Sequence, residues 1–140
     1  MTSASPTILL LGSDAALLEG LSQSLGALGY SPKVALGIHD SREIGLGDPP
    51  LIVVAASALL VDGSAELLRI PLAPGGALVL YHTTGHPSVV LTPTMQRAVL
   101  ADLALPLERH RLVALVQHVV ERAQATGRRL HDNPPEQVAH

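Results

Sequence analysis

The side chains best equipped for chemistry are histidines and carboxylates, and two histidines stand close: His82 and His86, in the segment HTTGHPS, make an H-x3-H spacing. With Asp14 across a cleft, two imidazoles and a carboxylate would suit a zinc ion. Such a spacing aims both rings at one ion only when a helical turn carries it, and Gly85 and Pro87 spoil that turn. The pair is therefore read as a solvated loop, and His82 and His86 remain weak metal candidates. Ser13 or Asp14 can cap the helix of the apolar periodic run that follows, Asp14 reads as a cap before it reads as a catalytic acid, and Asp62 before Gly63 reads as a turn residue. His110 and His118 lie among Arg109, Arg111, Glu121 and Arg122, the composition of a solvated helix face. No oriented nucleophile and base pair is visible, so an enzyme is not expected.

These residues hang on alternating strands and helices. Thr7 to Leu11 is an apolar run closed by Gly12, followed by a helix with Leu17, Leu21, Leu25 and Leu28 as its stripe and Gly29 as its stop. Ser31 to Leu36 reads as strand two. Residues 37–50 hold several turn formers and at most a stunted helix near Ser41 to Ile44. Strand three is Leu51 to Ala56, then the Asp62-Gly63 turn and a short helix carrying Leu67, Leu68 and Ile70. Ala77 to Tyr81 makes strand four, Thr92 and Pro93 cap a short helix, and Val99 to Ala104 is strand five. Leu107 to Thr126 is the strongest helix, with Leu112, Val116, Val119, Val120 and Ala123 on one face, Arg and Glu on the other and Gly127 at its end, and the polar remainder RRLHDNPPEQVAH reads as a disordered tail. The expected division is a lead over residues 1–6, one domain over 7–126 and a tail over 127–140. Strands alternating with helices imply a parallel sheet covered on both faces.

Composition narrows the classes further. A chain of 140 residues suits one domain with a sizeable core. Phe and Trp are absent, so that core is aliphatic apart from Tyr30 and Tyr81. Few aromatics, a net charge of -3 and a single lysine, Lys33, speak against nucleic acid as a partner. Without cysteine there is no disulfide framework and no thiolate metal site. The N-terminal residues lack a basic start and a long apolar segment, so neither a signal peptide nor a membrane span is expected, and the chain is read as cytoplasmic. Neither GxGxxG nor GxxxxGK[ST] occurs, which disfavours dinucleotide and nucleoside-triphosphate binding.

Three segments carry a family resemblance. ILLLGSDAALLEGLSQSLGALGYSPKVA, residues 8–35, resembles the opening of response-regulator receiver domains. LIVVAASALLVDGSAELLR, residues 51–69, resembles their third strand and the Asp-Gly turn beyond the phosphoacceptor, and ALPLERHRLVALVQHVVERA, residues 104–123, resembles their Lys-Pro strand end and fifth helix. The resemblance implies a flavodoxin-like α/β fold of three layers, a five-stranded parallel sheet in order 2-1-3-4-5. It also places the family's active positions. The paired metal-binding acids fall on Gly12 and Ser13, with Asp14 the only carboxylate nearby, and the phosphoacceptor falls on Ala55, eight residues before Gly63. The switch hydroxyl falls on Thr83 or Thr84, and the lysine on Leu105, before a Pro106 whose peptide bond the resemblance would make cis.

These replacements belong together chemically. Aspartyl phosphorylation needs a carboxylate nucleophile and a divalent cation to neutralise developing charge. Alanine offers neither. Once the phosphoryl group and the metal are gone, buried acids or a buried lysine would cost several kcal/mol of desolvation per ion, so neutral replacements stabilise the fold. The reading is a degenerate pseudo-receiver that signals by protein contact, in a two-component type of system, without phosphotransfer and without a cofactor. Its expected partner is another protein or a second copy, in a dimer through the surface that the family builds from its fourth helix, fifth strand and fifth helix. Arg109, His110, Leu112, Val113 and Gln117 are the candidate residues there. The alternative is a small-ligand sensor binding in the neutral cleft around Ser13, Ala55, Ser57 and Thr83.

Overall fold

The computed structural model describes residues 6–36, 49–59, 69–83, 92–105 and 107–131, with side chains described up to residue 125. The Asp62-Gly63 turn, Leu67 and Leu68, the segment at 37–48, Thr84, His86, Pro106 and the tail beyond His131 lie outside the described residues. Five strands form one parallel sheet in the order β2-β1-β3-β4-β5: β1 (Thr7–Leu11), β2 (Ser31–Ala35), β3 (Ile52–Ala56), β4 (Ala77–Thr83) and β5 (Val99–Leu105). Three helices are described: α1 (Ala15–Ala27), α2 (Pro93–Ala98) and α3 (Arg109–His131). They correspond to the first, fourth and fifth helices of the resembled family.

Two apolar clusters sandwich the sheet. On one face Ile8, Leu10, Val54, Val79, Tyr81 and Leu103 pack against α1 and α3. On the other, Leu9, Leu11, Ala35, Val53, Ala55, Leu78 and Leu80 pack against Met95 of α2. Strands buried on both faces explain why β1 and β3 read as unbroken apolar runs and not as alternating ones. The result is the three-layer flavodoxin-like arrangement expected from the sequence.

Helix α1 starts where Oδ1 of Asp14 accepts the Leu17 N–H at 3.1 Å, satisfying a donor that the first turn leaves unpaired. It stops in a Schellman motif: Gly29, at φ +95°, donates to Gly26 O and Tyr30 donates to Leu25 O. The buried stripe is Leu18, Leu21 and Leu25, each contributing about 1.5–3 kcal/mol by burial. Leu17 is half-buried at its margin and Leu28, the C-cap residue, is exposed, so the stripe lies one residue away from the one drawn at Leu17 and Leu28.

The C-terminal half departs from expectation in three places. Strand β4 runs on to Thr83, because β5 supplies ladder partners for His82 at Ala104 and for Thr83 at Leu105. The pairing shifts by one residue between Leu78 and Val79, which leaves Leu100 as an extra residue of β5. Helix α3 begins at Arg109 and continues through Gly127 to His131. Glycine terminates a helix when it takes positive φ, as Gly29 does, and Gly127 keeps the helical conformation instead.

Candidate functional site

The carboxyl ends of the strands are where open α/β sheets place their binding and catalytic groups. At that edge the register aligns Leu11, Ala55 and Leu80 on neighbouring strands, then Ala56 with Tyr81, and Tyr81 with Leu103. Gly12 follows β1 and donates its N–H to Ala35 O at 3.2 Å, prolonging the ladder to β2 by one bond.

The decisive side chain is Tyr81. Its ring belongs to the core cluster beside Leu10 and Val54, and the residue is 2% exposed. A β-carbon placed on Gly12 would lie 2.1 Å from the Tyr81 phenol oxygen, 3.3 Å from its Cζ and 3.6 Å from the Ala56 Cβ. Three neighbouring strands thus offer a glycine, an alanine and a tyrosine, and the long ring reaches past the small side chain of Ala56 to the bare Cα of Gly12. Burial, reinforced by the nearby Asp14 carboxylate, pushes the phenol pKa up to about 12.

The positions singled out from the sequence divide between core and surface. Ala55 is fully buried in the cluster facing α2, Leu105 is fully buried in the cluster facing α1 and α3, and Ser57, which opens a 3-10 turn over Ser57–Leu59, is also buried. Thr83 is half-buried at the end of β4, while Ser13 and Asp14 are exposed. Ala55 and Ser57 are therefore core residues and not cleft lining, which corrects half of the ligand cleft drawn from the sequence. Asp14, the carboxylate that follows Ser13 in the chain, is engaged in capping α1. The residues at the positions that the resemblance assigns to cation binding do not fit a divalent cation: Gly12, Ser13 and Ala55 supply no carboxylate, and the volume a carboxylate would need at Gly12 holds the Tyr81 phenol.

His82 sits inside β4, not in a loop. Its Nδ1 lies 3.2 Å from Oδ1 of Asp102 on β5, with both side chains about a quarter exposed. Among the described residues no group of three histidine, cysteine, aspartate or glutamate side chains converges as a metal site. Asp102 escaped the sequence reading, although an acid inside the apolar strand VLADLAL is itself a signal that something polar must face it.

Glu108 is the second residue missed. Its Oε1 accepts the Ala104 N–H at 2.7 Å while its own N–H donates to Ala104 O at 2.7 Å, so one residue fastens the end of β5 to the start of α3 in both directions. Its other oxygen receives Arg111 Nη1. The Ala104 N–H, and then the guanidinium of Arg111, hold the Glu108 carboxyl below the usual carboxylate range.

On the candidate interaction face, Arg109, His110 and Gln117 are exposed and Val113 is half-buried. Leu112 is fully buried and packs in the core, which removes it from that face; its i, i+4 spacing to Val116 puts both on the sheet side of α3. Leu107 is 73% exposed and, with Arg109, His110 and Val113, lines an open hollow of about 420 Å³.

No family model matches the sequence and no curated protein matches it. Solved structures do. The chain superposes on NtrX from Brucella abortus in complex with ADP with TM-score 0.70 at 16% identity, covering 97% of this chain and 30% of that one. It is similar to the signal receiver domain of an HD domain-containing protein from Pseudomonas fluorescens, with TM-score 0.67 and 21% identity over 92% of this chain and 96% of that one. It is similar also to the receiver domain of a LuxO repressor protein from Vibrio parahaemolyticus, with TM-score 0.65 and 17% identity over 88% and 95%. The chain thus spans under a third of the NtrX chain and nearly all of the two isolated receiver domains. Its fold is that of response-regulator receiver domains.

Proposed function

We propose that the chain is a pseudo-receiver, a signalling module that acts by protein contact and takes no part in phosphotransfer. One observation supports the first half: Ala55 and Leu105, which the sequence resemblance aligns with the phosphoacceptor and the lysine of receiver domains as it aligns Gly12 with an acid, are fully buried. A fully buried alanine offers no nucleophile, and a fully buried leucine no cation for phosphate oxygens.

The second half rests on the surface at the start of α3, part of the face that the family resemblance assigns to contacts. Leu107 and Val113 give it an apolar centre, and Arg109 and His110 give it a polar, basic rim. Apolar centre and charged rim are the general make-up of a protein interface. A second copy of this chain or a protein with an aliphatic and acidic surface is the partner such a patch would accept.

Incubation with acetyl phosphate and Mg²⁺, followed by intact-mass measurement, tests the chemistry: no addition of a phosphoryl group is expected, and a phosphorylated aspartate would overturn the reading. Sedimentation equilibrium over a range of concentrations tests the contact. Self-association that Leu107→Glu and Val113→Glu abolish supports the face. Self-association untouched by both moves the interface elsewhere and overturns that assignment.

A further inference from the structure

Tyr81 does more than fill a core position. Any side chain on Gly12 would begin 2.1 Å from the phenol oxygen, well inside the contact distance of two heavy atoms, so the ring and an acid at that position exclude one another. The ring is also held in place. It is 2% exposed, packs with Leu10 and Val54, and lies next to Ala56, a residue small enough to let it pass from β4 across β3. Withdrawing it would open a cavity in the larger core cluster, which close packing resists.

We propose that Tyr81 is a built-in stopper: its phenol takes the volume in which receiver domains hold a metal-binding carboxylate, so a divalent cation is shut out by a packed side chain and not only by missing acids. The proposal rests on the correspondence of Gly12, Ser13 and Ala55 with the family's acid positions. It adds that restoring those acids would not by itself restore a cation site. A loss of carboxylates alone is reversed by putting carboxylates back. A stopper must be removed as well.

The test measures Mn²⁺ binding by calorimetry, and by paramagnetic broadening of backbone amide signals, in two pairs of full-length variants. The first pair carries Gly12→Asp, Ser13→Asp and Ala55→Asp, with Tyr81 kept or changed to Val. The second pair carries Ser13→Asp and Ala55→Asp only, with the same choice at position 81, so that a fold which cannot accept a β-carbon at Gly12 is still tested. Circular dichroism verifies folding in each. Within either pair the Val form is expected to bind one Mn²⁺ at least roughly tenfold more tightly than the Tyr form. Equal affinities within about threefold, or no binding by the Val forms, would overturn the stopper. Neither result touches the proposed function, which fails separately if the natural chain is labelled by acetyl phosphate.

Discussion

Gly12 and Tyr81 are separated by the whole of β3 and still contend for one volume, the phenol oxygen lying 2.1 Å from where a β-carbon on Gly12 would be. The coupling is directly measurable. Gly12→Ala is expected to lose about 1–3 kcal/mol of stability, the usual penalty for forcing an extra methyl into a packed site. Tyr81→Phe removes the colliding atom and leaves Cζ as the nearest ring atom at 3.3 Å, so Gly12→Ala in that background loses far less. Urea unfolding of the four chains gives a double-mutant cycle. A coupling energy above about 1 kcal/mol supports the contact, and additivity within about 0.5 kcal/mol shows that the two residues do not share a volume.

The phenol also sets an alkaline limit. Its pKa near 12 in the folded chain, against about 10 when unfolded, means that between those values the folded state keeps a proton that the unfolded state releases. Stability is therefore complete below pH 10 and declines as pH rises towards 12, by at most about 3 kcal/mol. The Tyr81→Phe variant lacks that part of the slope. Absorbance titration of the phenolate band in a Tyr30→Phe background isolates Tyr81 and reads its pKa directly. Asp14→Asn, which keeps a capping side chain, lowers that value while the larger contribution from burial persists.

An acid limb of opposite sign comes from Glu108. Its carboxyl is depressed by the Ala104 N–H and by Arg111, so its contribution is present above the unfolded carboxylate value and lost as pH falls through the folded one. Glu108→Gln keeps an acceptor for Ala104 and removes the charge. On acidification from about pH 5 to about pH 3 the natural chain should lose more melting temperature than this variant. Glu108→Ala, which also leaves the Ala104 N–H without its side-chain acceptor, should melt lowest at neutral pH.

The strands were legible because apolar runs bounded by glycine and proline leave few alternatives: β1 begins and ends where the sequence indicates, and Asp14, Thr92 and Gly29 punctuate their helices as expected. The order of the sheet came from resemblance, since no local pattern says which strands are neighbours. What stayed hidden depends on register. The approach of Tyr81 to Gly12 requires two strand pairings at once, and the meeting of His82 with Asp102 requires a third that contains a shift of one residue. Leu112 reads in two ways: the helical phase that groups it with Val116, Val119 and Val120 turns it inward, as the structure has it, and the contact face implied by resemblance, which ignores that phase, places it outward.

Ala55 separates charge from volume in the last prediction. It is fully buried among Leu9, Leu11, Val53 and Leu80, with no described cation among its cluster neighbours. Restoring an acid there alone, as Ala55→Asp, is expected to lose on the order of 2–4 kcal/mol at neutral pH, because a buried carboxylate without a partner is either ionised at high desolvation cost or protonated against the pH. Burial raises the carboxyl pKa in the folded state above the unfolded value of about 3.9, so the folded chain holds a proton that the unfolded chain has released. The stability deficit therefore narrows as pH falls towards that value and widens as it rises. Ala55→Asn has nearly the same shape and does not titrate, so its deficit stays flat across the same range. Urea midpoints for the two variants at pH 5 and pH 7.5 decide the matter: a deficit equally independent of pH in both would place position 55 in contact with water or a cation, and remove the burial on which the loss of phosphotransfer is argued.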